Sequence, residues 1–197
     1  MDALFGVAGR DFVVLASDTY FRNNVVVSKT DHIRCTKISD SVAVITAGDQ
    51  GDCDRTTQYI FETLKFEQMA NGLKITEKTY ASVLQKYVHE KLRKDPVNVT
   101  SIVGGVSEGR GKIFYVDHYG AQSSPKYIGT GYASYLFLSA MDMCYRENMT
   151  EQEAVQEIVQ IYERIKKQLV VNYGGLHLCV INANGVKEIN ETANVCL

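Results

Sequence analysis

Residues able to do covalent or acid–base chemistry are few and scattered in this chain. Cys35 follows Arg34 directly, a neighbour that in principle lowers a thiol's pKa by favouring the thiolate. No base is positioned beside it by the sequence, so an inert thiol is the stronger reading. The histidines, His32, His89, His118 and His177, have no metal-ligand spacing. His118 follows Asp117, yet no serine or cysteine is placed to use that couple. Cys35, Cys53, Cys144, Cys179 and Cys196 are odd in number and form no C-x-x-C pair, which argues against a disulfide framework and against a zinc site. Two glycine clusters imitate phosphate loops. Gly104-Gly105 with Gly109 and Gly111 leads into a strand-like run, 112–116, and so offers no helix N-terminus. Gly129-Thr130-Gly131 opens a helical pattern but lacks the lysine of a P-loop. Both read as turns, and no cofactor or metal is expected.

The elements that would position these residues come in blocks. Short strands are expected over 3–8, 11–18, 24–28, 33–38 and 41–47, the last being apolar without alternation, as in a strand covered on both faces. A helix over 50–70 closes at Asn71-Gly72, and a second runs from a Thr76 cap to Arg93 before Asp95-Pro96. Strands resume over 97–106 and 112–117, with a short pair around Ala121 and Tyr127. Helices follow over 131–147 and 151–169, the latter begun by a capping box, Thr150 with Glu153. A final hairpin, 176–181 and 186–189, turns at Asn182-Ala183-Asn184-Gly185.

Strand pairs joined by tight turns imply antiparallel sheets, and strands apolar on both faces need cover on both. Two packed sheets with a helix pair outside each satisfy both demands: an α+β fold, a four-layer αββα sandwich. A doubly wound parallel sheet would need strands and single helices in alternation. The helix over 131–147 carries Tyr132, Tyr135, Leu136, Phe137, Leu138, Met141 and Met143 around nearly all its sides. In an outer layer, one of those sides needs a second protein unless its own domain covers it.

Composition adds exclusions. The 197 residues suit one domain, 1–197, and the net charge of −2 gives no footprint for nucleic acid. No stretch reaches the roughly 20 apolar residues of a membrane span, and no signal peptide is evident, so a soluble intracellular protein is expected.

Four stretches and the opening hairpin carry a family resemblance. Met1-Asp2-Ala3-Leu4-Phe5-Gly6-Val7-Ala8 turns at Gly9-Arg10-Asp11 and returns to Ala16-Ser17-Asp18. Thr46-Ala47-Gly48-Asp49-Gln50-Gly51-Asp52, Ile128-Gly129-Thr130-Gly131 and Tyr173-Gly174-Gly175 complete the set. Together these resemble the proteasome β-type subunits, of the N-terminal nucleophile hydrolase fold. Active members begin with a free N-terminal threonine whose amine serves as base, supported by a lysine, two aspartates and two serines.

Carried over by motif, the resemblance puts the nucleophile at Asp2, one aspartate at Asp18, the lysine at Arg34 and the first serine at Thr130. Val170 and Tyr173 fall where the second aspartate and serine belong. A carboxylate cannot replace an N-terminal hydroxyl, and a guanidinium does not share its proton as a lysine of lowered pKa can. Asp18 and Arg34 are expected to pair, buried, across neighbouring strands. The resemblance therefore implies a catalytically inactive subunit of a threonine endopeptidase complex, with vestigial positions Asp2, Asp18, Arg34 and Thr130. It is most like those members whose first strand directly follows Met-(Asp or Glu), without a propeptide. Its implied partners are other β subunits in a seven-membered ring, the α-ring subunits and the opposing β ring, in cytoplasm and nucleus, for ATP- and ubiquitin-dependent protein degradation. No nucleic-acid or membrane partner is implied. The alternative is an active threonine-type endopeptidase in a simpler self-processing assembly, which would need a Thr, Ser or Cys exposed before the first strand.

Overall fold

A computed structural model describes residues 2–23 and 26–191; Met1, residues 24 and 25, and 192–197 with Cys196 lie outside the described residues. The chain first forms β1 (Leu4–Ala8), β2 (Val13–Asp18), β3 (Phe21–Asn23), β4 (Val26–Lys29), β5 (Cys35–Ser39) and β6 (Val42–Gly48). Helices α1 (Gln50–Asn71) and α2 (Glu77–Lys91) follow, then β7 (Val99–Ser107), β8 (Arg110–Val116), β9 (Gln122–Ser123) and β10 (Tyr127–Thr130). Helices α3 (Ala133–Cys144) and α4 (Glu151–Gln168) precede the last hairpin, β11 (Leu176–Asn182) and β12 (Gly185–Glu191).

Two five-stranded sheets result, ordered β10-β1-β2-β11-β12 and β5-β6-β7-β8-β9, and every ladder is antiparallel. Tight turns make this possible: Glu108 and Gly109, both at positive φ, form the two-residue loop between β7 and β8. Between the sheets lie Leu4, Leu15, Ile45, Ile102, Ile113 and Ile181. The opposite faces of the same strands meet the helices. Phe5, Val14 and Leu178 pack against Phe137, Ile158 and Tyr162 of α3 and α4, while Val44 and Val103 pack with Ile60, Leu64 and Leu84 of α1 and α2. Strands buried on both faces explain why β1, β2 and β6 read as apolar runs without alternation. This is the expected four-layer αββα sandwich.

One local expectation is corrected and two are sharpened. The strand expected over 24–28 is present as β4, and sequence reading missed its partner β3: among the described residues the two pair with each other as a separate two-stranded sheet. The short strands near Ala121 and Tyr127 do not pair with each other; β9 extends one sheet beside β8, and β10 extends the other beside β1. The segment between them thus steps from one sheet to its neighbour. Finally, of the two alternatives for α3, its own domain does not cover every side. It buries Ala133, Phe137 and Met141, yet leaves Tyr135 77% and Met143 89% exposed.

Candidate functional site

Asp18 is the last residue of β2 and is fully buried. Its Oδ1 accepts the Ala3 N–H at 3.1 Å, which ties the end of β2 to the start of β1. Arg34 reaches the same carboxylate from the facing sheet, where it stands just before β5, with Nε 3.6 Å from Asp18 Oδ1. The buried Asp18–Arg34 pair therefore forms, but across two packed sheets rather than neighbouring strands. A second arginine was not legible beforehand: Arg22 of β3 lies 3.4 Å from Asp18 Oδ2 and packs over the Tyr173 ring at 5.1 Å. Burial pushes the Asp18 carboxyl up from its ordinary value, while Arg34, the Ala3 N–H and Arg22 pull it back down.

Arg34 also donates through Nη2 to Asp2 Oδ1 and to the Tyr20 carbonyl, each at 2.8 Å. Asp2, Asp18, Arg22 and Arg34 thus form a charge-balanced cluster at one end of the sandwich. Paired in this way, the buried charges avoid the penalty of an isolated one.

Thr130 ends β10, opposite Leu4 of β1, and its buried Oγ1 has no hydrogen-bond partner among the described residues. Gly131 follows with φ +73°, and a Cβ there would stand 2.2 Å from the Asp2 carbonyl oxygen. Only glycine allows that approach, so the Gly129-Thr130-Gly131 turn is a packing requirement beside Asp2. A cleft of about 590 Å³ opens here, lined by Asp2, Gly48, Tyr115, His118, Thr130 and Tyr135. A smaller one of about 290 Å³ lies across Arg34 and contains His32, Thr46, Gln50 and Asp54. Burial and the Arg34 charge hold the His32 imidazole below its ordinary pKa, and its Nε2 lies 3.1 Å from Gln50 Oε1. His32 and His118 thus line two different clefts, and spacing along the chain gave no signal of either.

The remaining candidates separate cleanly. Of the two positions offered for the missing aspartate and serine, Tyr173 is buried near Arg22 whereas Val170 is fully exposed. Cys35 is not activated by Arg34. Its thiol meets that of Cys179 between the sheets, and this contact, then burial, raises its pKa. Gly104 and Gly105 lie inside β7, not at a helix start.

As chemistry, the arrangement binds charge. Just before β1, the Asp2 carboxylate is held by the Arg34 guanidinium.

Such an αββα sandwich with a charged cluster at the start of β1 defines a class of N-terminal nucleophile hydrolase architecture, and comparison with known proteins narrows it. The family model described as proteasome subunit matches residues 2–181. The chain is 31% identical over 186 residues to a probable proteasome subunit beta type-4 of Encephalitozoon cuniculi, covering 94% of each. It is 28% identical to proteasome subunit beta type-2 of Oryza sativa, over 98% of this chain and 92% of the relative. A probable proteasome subunit beta type-4 of Schizosaccharomyces pombe shares 26% identity over 96% of this chain and the whole of its own. The chain belongs to the proteasome subunit family.

Proposed function

We propose that this chain is a non-catalytic β subunit of the proteasome core particle, most like the type at the fourth ring position (beta type-2 in the alternative naming). As one domain, it takes a place in a seven-membered β ring, with β neighbours on both sides, α subunits above and the opposing β ring below. Its role is architectural: it helps enclose the chamber in which neighbouring subunits cut substrates delivered by ATP- and ubiquitin-dependent degradation, in cytoplasm and nucleus. The observation that carries this reading is the Asp2 carboxylate, 2.8 Å from Arg34, at the position of the family's reactive threonine. Further support comes from the apolar side chains left uncovered, Tyr132, Tyr135 and Met143 around α3 and Tyr59, Phe66 and Met69 on α1. Large obligate interfaces are made of such surface. The test is an electrophilic probe directed at N-terminal threonine, applied to the assembly that contains this chain. Labelling should fall on other subunits and leave this one unmodified; covalent labelling at its own N-terminus overturns the proposal.

A further inference from the structure

At the end of the sandwich away from Asp2, four separate segments line an open cavity of about 510 Å³. It is bounded by the β1–β2 turn, the start of β8, the β9–β10 linker and the segment after α3. Its walls are tied to one another. The Ala8 N–H donates to the Lys126 carbonyl at 2.8 Å, the Gly111 N–H to the Arg10 carbonyl at 3.1 Å, and the Tyr145 hydroxyl to the Ala8 carbonyl at 3.0 Å. Gly111 is needed for this closure, since a Cβ there would stand 2.1 Å from the Phe12 carbonyl oxygen. The cavity is thus held open by backbone geometry, and its size lies within the roughly 300–1,000 Å³ of small-ligand sites.

Its charge is the informative feature. Arg10, Lys112 and Lys126 line it, against a single carboxylate, Glu147, which Lys126 already engages. Three cations less one anion leave an excess of two positive charges in a chain whose net charge is −2. Among the described residues, Arg10 and Lys112 have no ion-pair partner, and the carboxylates of Asp11 and Glu151 line the adjoining groove on the far side of Arg10. Asn148 adds a neutral amide to the lining.

We propose that this cavity binds a phosphate monoester. Such a group carries about −1.5 to −2 charges at neutral pH and three strong acceptor oxygens, and a guanidinium can grip it through two parallel hydrogen bonds. Arg10 and Lys112 supply the charge, while Lys126 stays with Glu147 and fixes the wall. The phosphate belongs either to a soluble phosphorylated metabolite or to a phosphorylated side chain of a protein partner; the recognising chemistry is shared. The site is independent of the role proposed above.

Amide hydrogen exchange on the full chain, in the assembly in which it is purified, resolves this by position. Inorganic phosphate should slow exchange in segments 8–12, 110–113 and 124–127 relative to chloride at matched ionic strength. In the variant Arg10→Glu with Lys112→Glu, both exposed positions, the concentration giving half the effect should rise about tenfold or more, with β2 and β11 unchanged. A serine phosphopeptide acting at much lower concentration than phosphate assigns the partner source; equal concentrations assign the metabolite source. No phosphate-specific slowing, or the same response in the variant, overturns the proposal.

Discussion

Arg34 Nη2 stands 2.8 Å from Asp2 Oδ1, so a residue before β1 is fastened to a residue before β5 in the opposite sheet. The same guanidinium donates to the Tyr20 carbonyl at 2.8 Å and faces Asp18 at 3.6 Å. One planar cation therefore ties three chain segments across the sandwich. An arginine suits this work better than a lysine, because its fork offers several fixed donors rather than one mobile charge.

Arg34→Met should destabilise the chain by about 3–5 kcal/mol, since it leaves Asp18 buried with Arg22 alone and Asp2 without its donor. Arg34→Lys should recover part of that loss. Urea unfolding followed by pulse proteolysis of the chain measures both. A loss below about 1 kcal/mol would mean that the pair behaves as a surface ion pair and carries no more than one.

Asp2→Thr, with the threonine exposed as the first residue, should give no peptidase activity above background. The Arg34 guanidinium offers donors but no proton acceptor to the new hydroxyl, and Val170, fully exposed, supplies nothing to the site. Measurement of fluorogenic peptide cleavage by the assembled variant, with neighbouring subunits inhibited, decides the matter. Activity in this single variant would show that the rest of the machinery is intact.

Much of the architecture was written locally. The Thr150 capping box is present with both bonds, the Thr150 N–H to Glu153 Oε2 at 2.8 Å and the Glu153 N–H to Thr150 Oγ1 at 3.3 Å. The unbroken apolar runs of β2 and β6 announced cover on both faces. Long-range relations were not local. That β10 joins β1 while β9 joins β8 depends on the two sheets being assembled, and nothing in residues 118–130 states it. Family likeness located Asp2, Asp18 and Arg34, but not that Asp2 and Arg34 touch, because they belong to different sheets. Cys35 misleads for the same reason: Arg34 is next to it in sequence, yet the thiol faces the interior and Cys179.

Burial pushes the Cys53 thiol up to about 12 from an ordinary 9.0. At any pH below that range the native chain should hold roughly a thousandfold less thiolate there than the unfolded chain does. Iodoacetamide should accordingly alkylate Cys53 slowly until urea unfolds the protein, as read by mass spectrometry. The sign for stability follows. A raised pKa means that the contribution is fully present below pH 9.0 and declines as pH rises toward about 12. Cys53→Ala should flatten the fall in melting temperature over that window; an unchanged slope, or rapid native alkylation, would contradict the burial argument.

The outward face of α3 supplies the last prediction. Phe137 stacks on Phe5 with ring centroids 4.3 Å apart, so the inward face is anchored to β1 and does not depend on anything outside the chain. Tyr135 and Met143 point the other way, 77% and 89% exposed, and contribute nothing to that core. Replacing both by glutamate should leave the chain's own fold intact, seen as unchanged hydrogen exchange in β1 and β2. Assembly should respond differently, because burying two carboxylates in an apolar interface costs several kcal/mol for each unless they find partners. Co-purification of other proteasome subunits with the tagged variant should therefore fall at least tenfold, a change that about 1.4 kcal/mol suffices to produce. Full incorporation of the double variant would show that this face meets solvent in the assembled particle.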